Sequence, residues 1–199
     1  MKTVCMFLSI LFLTALSAFA GPFGLNMGMT LEEVEDACKT APEYIGDDRY
    51  YIQPEKSHPL FEGYVAWISE SEGLYYIKGI SREISCTDYG TEVKQEFSNI
   101  LAPLERKYGK FKKIDKLSKA APSYQKSEEH WMMSIASGSR TYEALWQASK
   151  DSIEEFDGLV SITLGIKTKA SYISNKAYIR LEYGFINASN GFQNLDDVL

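Results

Sequence analysis

The chain has 199 residues, of which 45% are hydrophobic and 24% are charged, and it contains three cysteines. This length suits one domain with a sizeable core, and the many aromatic residues argue against a disordered chain. The formal net charge is −6, with 21 Lys and Arg residues against 27 Asp and Glu residues. Such a balance argues against nucleic-acid binding, because phosphate neutralisation needs clustered basic side chains.

Residues 1–20 have the composition of a secretory signal peptide. Lys2 is followed by an apolar run, and Ala18-Phe19-Ala20 has the small-x-small pattern of a cleavage site. We therefore predict cleavage after Ala20 and export to the periplasm or the cell exterior. An uncleaved membrane anchor is the alternative, although no later stretch could span a bilayer as a helix. The mature chain is then one domain over residues 21–189, with a flexible tail over residues 190–199.

Two cysteines, Cys38 and Cys86, remain after the predicted cleavage. An even pair in an exported protein is typical of one disulfide in an oxidising compartment. The alternative, a redox or nucleophilic thiol, has no C-x-x-C motif to support it. We therefore predict a structural Cys38–Cys86 bridge.

The first half of the mature chain predicts one short helix, three strands and one long helix. Thr30 and Glu33 form a T-x-x-E capping box, which predicts a helix over residues 31–38. Alternating apolar residues predict strands over 50–53, 62–69 and 74–84. Apolar residues at helical spacing then predict a helix from Val93 to Tyr108, with Thr91 as its N-cap.

The second half predicts a linker, a short helix and three strands. Residues 110–126 are polar with little periodicity, and a helix start follows at Ser127. Strands are predicted over 141–148, 158–169 and 176–187, and in the last of these Arg180 and Glu182 face outward. The fold class is therefore α+β, with an antiparallel sheet of about six strands and two or three helices packed on one face. An arrangement as two degenerate α-βββ units is the alternative.

One stretch resembles a known family. Gly28-Met29-Thr30 and Val34, preceded by Phe23-Gly24 and followed by a short helix, resemble the opening of the SmpA/OmlA-type envelope domains. These include the small lipoprotein of the outer-membrane barrel assembly machine and the related β-lactamase inhibitor protein fold. The resemblance covers residues 23–38. It implies short helices on an antiparallel sheet and a function in binding other proteins.

The sequence contains no strong catalytic or metal-binding motif. The two histidines, His58 and His130, are far apart and lack a third ligand at metal spacing. No nucleophile elbow, phosphate-binding glycine loop or dinucleotide fingerprint is found. We therefore predict no catalytic residues, no metal and no cofactor. An exported hydrolase with dispersed catalytic residues near His130 is the alternative.

Two groups of residues are candidates for partner binding. A basic stretch within residues 106–119 contains Lys110, Lys112, Lys113 and Lys116, and it could dock an anionic partner. Tyr51 and Tyr75 each belong to a strand tyrosine pair, in which one ring should point away from the core. A solvated linker and ordinary strand tyrosines are the structural alternatives. We predict an exported binding protein of the inhibitor, immunity or assembly-factor type, whose partner is another protein of the cell envelope, with a carbohydrate or lipid binder as a further alternative.

Overall fold

The computed structural model of the chain describes residues 21–149, 152–169 and 175–190. The predicted signal peptide and nearly all of the predicted tail lie outside these ranges. Within them, no helix is both long enough and apolar enough to cross a membrane.

The described chain contains three α-helices and nine strands. The helices are α1 (Leu31–Asp36), α2 (Thr91–Tyr108) and α3 (Trp131–Ala136), and short 3-10 turns lie at Pro22–Gly24, Ser123–Lys126, Glu128–His130 and Ile186–Asn190. The strands are β1 (Glu43–Gly46), β2 (Arg49–Ile52), β3 (Phe61–Ser69), β4 (Gly73–Ser81), β5 (Ile84–Ser85), β6 (Lys112–Leu117), β7 (Arg140–Gln147), β8 (Leu159–Thr168) and β9 (Lys176–Phe185). The α+β class is confirmed, but the number of strands is larger than the six predicted.

All the strands join one antiparallel sheet in the order β1-β2-β3-β4-β9-β8-β7-β6, and the short β5 also pairs with β9. Each half of the chain supplies a meander of four strands, β1–β4 or β6–β9. The two halves meet where β4 lies antiparallel to β9, with Tyr76 opposite Gly184 and Ile80 opposite Arg180. The strand order is therefore two-fold symmetric about this central pair, and each meander has four strands where the degenerate units were expected to have three.

The two strands at the edges of the sheet account for most of the difference in strand number. Residues 112–117 were predicted to lie in a polar linker, but they form β6, which pairs with β7. Its sequence, Lys-Lys-Ile-Asp-Lys-Leu, leaves four of six side chains exposed. An edge strand buries little and does not need an alternating apolar pattern, and lysines there discourage edge-to-edge aggregation. The strand β1 is short and mostly exposed for the same reason.

The hydrophobic core lies between the helices and one face of the sheet, which we call the helix face. The helix α2 buries an apolar stripe against β8 and β9, and α3 packs on β7 and β8. Alternate residues of the central strands point into this core, among them Ile77, Leu164 and Ile179, and α1 contributes Val34. The sheet is thus covered by helices on one face, which leaves the other face available for a different role.

The helix α1 begins with the predicted N-cap residue, whereas α2 begins with another residue than the predicted one. The predicted capping box is present, with the Thr30 backbone N–H donating to Glu33 at 2.8 Å and the Glu33 N–H donating to Thr30 Oγ1 at 3.3 Å. At α2 the N-cap is Gly90 and not the predicted Thr91. Gly90 has a φ of +65°, and the indole of Trp131 lies directly against its Cα. Both features favour glycine, since a Cβ would meet the ring.

Candidate functional site

The face of the sheet opposite α2 and α3, here called the open face, carries no helix within the described part of the chain. The pairing between neighbouring strands places alternate residues of eight strands, β1 to β4 and β6 to β9, on this face. Most of these side chains are half-buried, and they include large aromatic and charged groups. The central ones are Tyr51, Val65, Trp67, Tyr76, Lys78, Ile80, Glu143, Leu145, Thr163, Lys167, Tyr178, Arg180 and Glu182.

An aromatic pair lies on the open face across β3 and β4. The rings of Trp67 and Tyr76 meet edge to face, with centroids 4.9 Å apart, and Lys78 Nζ lies 5.2 Å from the Trp67 ring. Tyr76 lies against Gly184 of β9, where a Cβ would come within 3.6 Å of the ring. The tight contact that a Cβ at position 184 would make is with Ser161 Oγ at 2.9 Å, so the tyrosine ring itself does not require glycine there. This cluster is a rigid surface with a cationic neighbour, of the kind that aromatic and cation–π contacts produce.

A chain of ion pairs runs across the centre of the open face. Glu182 is only 8% exposed and is paired with Lys78 at 3.3 Å and with Arg180 at 3.1 Å. Arg180 also reaches Glu143 at 3.7 Å, and Lys167 pairs with the same carboxylate at 3.0 Å. The side chains from β4, β9, β8 and β7 therefore form a line of alternating positive and negative charges. Because the side chains are partly buried and mutually paired, solvent screens them less than isolated surface charges.

The open face is basic although the chain as a whole is acidic. Its basic side chains outnumber its acidic ones, which are Glu43, Glu62, Glu83, Glu143 and Glu182. The basic set comprises Arg49, Lys78, Lys112, Lys116, Lys167, Lys176 and Arg180. Acidic residues are concentrated elsewhere, for example at four of the six positions of α1. The open face therefore has a sign of charge opposite to the net −6 of the chain.

A cavity of about 480 Å³ opens on this face near the ends of β2, β3, β4 and β9. Tyr51 and Tyr178 line it from β2 and β9, and Gly63 and Ile80 line it from the two strands between them. The Tyr51 hydroxyl donates to the backbone carbonyl of Glu62 at 3.2 Å, which fixes the ring. We call this cavity the tyrosine slot.

Charged side chains at the rim of the tyrosine slot are paired with one another. Glu83 accepts a hydrogen bond from Lys176 at 2.6 Å and lies 3.8 Å from Lys169. The hydrogen bond from Lys176, with the positive charges of both lysines, holds the pKa of the Glu83 carboxyl below its usual value. Glu62 also lines the slot. The rim is therefore polar while the floor and walls are largely apolar.

The four candidate lysines do not form one surface. Lys112 and Lys116 lie on the open face of β6, opposite Leu145 and Thr141 of β7. Lys113 points to the helix face, where its Nζ is 5.5 Å from the centroid of the Tyr142 ring, and Lys110 lies in the loop before β6. The sequence predicted the basic stretch, but the strand that divides it was not recognised.

The two candidate tyrosines also separate. Tyr51 lines the tyrosine slot. Tyr75 sits where the register between β3 and β4 shifts, and it lines a different cavity of about 150 Å³ with Asp48 and Asn187. Its neighbour Tyr76 pairs with Trp67 in the β3–β4 ladder and therefore lies on the open face. The bulge at Tyr75, which the sequence does not reveal, thus determines which of the two tyrosines lies on that face.

The predicted disulfide is wrong for this structure, since Cys38 and Cys86 are both free thiols. Cys38 lies next to Pro54 beyond the end of β2, whereas the Cys86 thiol donates to the carbonyl of Ile84 next to β9. Three strand spacings of ~4.8 Å separate β2 from β9, and bridged cysteines need Cα atoms within about 7 Å. An even cysteine count gave no information on this separation.

The free thiols lead to a simple chemical test. Burial raises the pKa of both cysteine thiols, so each should react with an alkylating reagent more slowly than a free thiol does. Mass spectrometry of the mature chain, alkylated without prior reduction, should show both residues modified. A mature chain that accepts label only after reduction would contradict this arrangement.

The two histidines have different surroundings. Leu60 N–H donates to Nδ1 of His58 at 3.2 Å, so this ring helps to order its own loop. His130 lines a cavity of about 130 Å³, and its buried Nδ1 has no hydrogen-bond partner among the described residues. No described hydroxyl is therefore paired with that nitrogen, as a nucleophile would be with its base. In the part of the chain that the structure describes, no group of three potential metal ligands occurs.

Two tyrosines of the sheet lead to a prediction about alkaline unfolding. Burial raises the pKa of Tyr183 and Tyr76 well above the usual value, and the nearby Glu182 carboxylate adds to the effect at Tyr76. Unfolded tyrosines lose their protons near pH ~10. Above that pH the unfolded state therefore binds fewer protons than the folded state, and the free energy of unfolding falls as pH rises.

We expect part of the tyrosinate absorbance to appear only together with loss of circular dichroism. Tyr183→Phe keeps the ring and removes the ionisable hydroxyl, so it should move the alkaline transition to higher pH. Complete titration of all tyrosines near pH ~10 in a folded chain would contradict this prediction.

Comparisons with family models, with curated proteins and with solved structures found no match to this chain.

Proposed function

We propose that the chain is an exported binding protein that docks an acidic surface of another envelope protein on the open face of its sheet. It belongs, in this proposal, to the inhibitor, immunity or assembly-factor type and has no catalytic role. The observation that carries the proposal is the composition of the open face, which is aromatic and basic in an acidic chain.

The side chains on the open face are those that dominate binding energy in protein interfaces. Trp, Tyr and Arg are enriched among residues whose truncation weakens binding most. Here Trp67, Tyr76 and Arg180 are already held by ring contacts and ion pairs. Fixing them before binding lowers the entropy lost when a partner docks. The face is therefore preorganised for a protein surface.

The charge of the open face selects the chemistry of the partner. Lys78, Lys167 and Arg180 lie in its centre, and Lys112 and Lys116 extend it to the edge strand. A partner with exposed carboxylates would be attracted to this face, and its association would be faster at low salt. The resemblance of residues 23–38 to envelope domains that bind other proteins supports the same function, and the signal-like residues 1–20 support the same compartment.

Two double charge reversals, one on the open face of β6 and one beside it, test the proposal. Lys112→Glu/Lys116→Glu changes the open face, whereas Lys110→Glu/Lys113→Glu makes the same change in net charge away from it. Each variant and the wild-type mature chain would be used to capture proteins from an envelope extract of the producing organism. The capture would be repeated at roughly 0.1 M and 1 M salt, where the Debye lengths are about 10 Å and 3 Å.

We expect the wild-type chain to retain a specific partner at the lower salt concentration and to lose it at the higher one. The Lys112→Glu/Lys116→Glu variant should lose it under both conditions, and the Lys110→Glu/Lys113→Glu variant should retain it. Equal capture by both variants, or capture insensitive to salt, would contradict the proposal. Binding of a glycan or a lipid vesicle in place of a protein would contradict it as well.

A further inference from the structure

We infer that the tyrosine slot is a socket for one aromatic side chain that projects from the docked partner. This inference rests on the proposed function and adds to it the residue that anchors the partner. The slot has a volume of about 480 Å³ and opens on the same face as the aromatic pair and the ion pairs. Cavities of roughly 300–1,000 Å³ are typical of sites that enclose a ligand group.

The shape of the slot fits a flat ring. Tyr51 and Tyr178 stand on β2 and β9, and Gly63 and Ile80 of the two strands between them lie on the open face, with Glu62 and Ser81 beside them in the lining. Strand spacings of ~4.8 Å place the backbones of the two walls about 14 Å apart. A ring that enters from above would lie over the glycine and isoleucine and meet a tyrosine on either side. Such contacts are favourable edge to face or with offset stacking.

The slot suits an uncharged ring carried on an acidic surface. Of the two carboxylates that line it, Glu83 is paired with Lys169 and Lys176, and Glu62 has an exposed side chain, so the apolar floor does not have to accept an isolated charge. Acidic residues beside the ring in the partner would meet Lys78 and Arg180, which lie on the same two central strands as Ile80 and Tyr178. This pattern, a buried aromatic anchor with a charged surround, is typical of the residues that dominate an interface.

Gly63 keeps the floor of the slot open. It lies at a register shift of the β3–β4 ladder, where glycine is common. Its φ lies outside the left-handed region, and a Cβ would meet Ile80 and Tyr51 at 3.8 Å, which is ordinary van der Waals contact. The backbone can therefore accept a larger residue at this position, but the added side chain would occupy the floor of the slot.

The test uses two short peptides that differ only in the ring. The probes are acetyl-Glu-Phe-Glu-amide and acetyl-Glu-Ala-Glu-amide, titrated into the mature chain while amide and tyrosine-ring resonances are followed by NMR. We expect the phenylalanine peptide to shift the resonances of Ile80 and Tyr178 and to bind about tenfold more tightly than the alanine peptide. Equal binding of the two peptides would overturn the inference, and so would shifts confined to residues outside the slot.

Two variants and one control complete the experiment. Gly63→Leu fills the floor and should abolish binding of the phenylalanine peptide, while Ala102→Leu adds a leucine side chain on the exposed side of α2, away from the open face, and should leave binding unchanged. Tyr178→Ala removes a wall and should also weaken binding, which keeps the test valid if Gly63→Leu does not fold. Binding that survives in both folded variants would overturn the inference.

The experiments can disprove the tyrosine slot and the docking face independently of each other. If Gly63→Leu still captures the envelope partner in a salt-sensitive manner, docking on the open face stands and the socket is wrong. If the wild-type chain captures no partner, the docking proposal is wrong, and the peptide titration then decides the slot independently.

Discussion

Gly90→Ala should destabilise the folded chain by about 3 kcal/mol, because the left-handed backbone strain and the overpacking of a buried ring add together. A Cβ at this position would lie 2.4 Å from two ring atoms of Trp131, which is completely buried. The indole cannot move freely, since its ring also packs against Tyr142 and under Lys94. Urea denaturation of both proteins would measure the difference.

Gly138→Ala is the control for Gly90→Ala. Gly138 follows α3 and has a φ of +70°, close to the +65° of Gly90, but no described atom lies within 4 Å of the point that a Cβ would occupy there. The positive φ is therefore shared, and the contact with Trp131 is not. We expect a loss of only about 1 kcal/mol here. Similar losses at the two glycines would show that the Trp131 contact has no energetic role.

Glu182→Ala should cost about 2–3 kcal/mol at neutral pH, because it leaves Lys78 and Arg180 without a carboxylate they share in a half-buried environment. The side chain of Glu182 is 11% exposed, and those of its two partners are 27% exposed each. The loss is smaller than for a fully buried pair because water reaches both cations. Thermal or urea unfolding would measure it.

Glu128→Ala is the control for Glu182→Ala. Glu128 also faces one lysine and one arginine, Lys94 at 3.3 Å and Arg140 at 3.8 Å, but its side chain is 63% exposed. We expect a change below about 1 kcal/mol for this surface pair. If the two glutamates cost the same, the ion pairs of the open face are ordinary surface pairs, and the view of a preorganised face is wrong.

Much of the fold could be predicted from local patterns. The capping box at Thr30 and the apolar stripe of α2 depend on residues close in sequence, and both were found correctly. The long strands β3, β8 and β9 have one buried face, so their alternation is visible. That alternation also placed Arg180 and Glu182 on the face away from the core.

The candidate site depends on contacts that no local pattern contains. Glu182 meets Lys78 only because β4 lies beside β9, and Glu143 meets Arg180 across β8. The sequence shows outward-facing charges on separate strands but not the strand order that joins them. The edge strand β6 was missed because it buries little, and with it the division of the lysines between two faces. A useful signal was present in Trp67 and Tyr76, since large aromatic residues on the outward side of neighbouring strands often pair with each other across the strands.

The cysteine pair shows the limit of counting residue types. The even number of cysteines in the mature chain predicted a bridge, but the prediction assumed that two distant residues come together. Cys38 instead forms a backbone bridge with Pro54, and the Cys86 thiol donates to the carbonyl of Ile84, at a separate place in the sheet. The stability of the domain therefore depends on its core and on its sheet.

Site-directed photocrosslinking tests the docking face most directly. A photoreactive phenylalanine at Leu145 would stand on the open face, and the same group at Ala102 would stand on the exposed side of α2. Both mature chains would be irradiated in the envelope extract at the lower salt concentration. We predict one discrete crosslinked protein from position 145 and none from position 102. Crosslinks from position 102 alone, or equal crosslinks from both positions, would contradict binding through the open face.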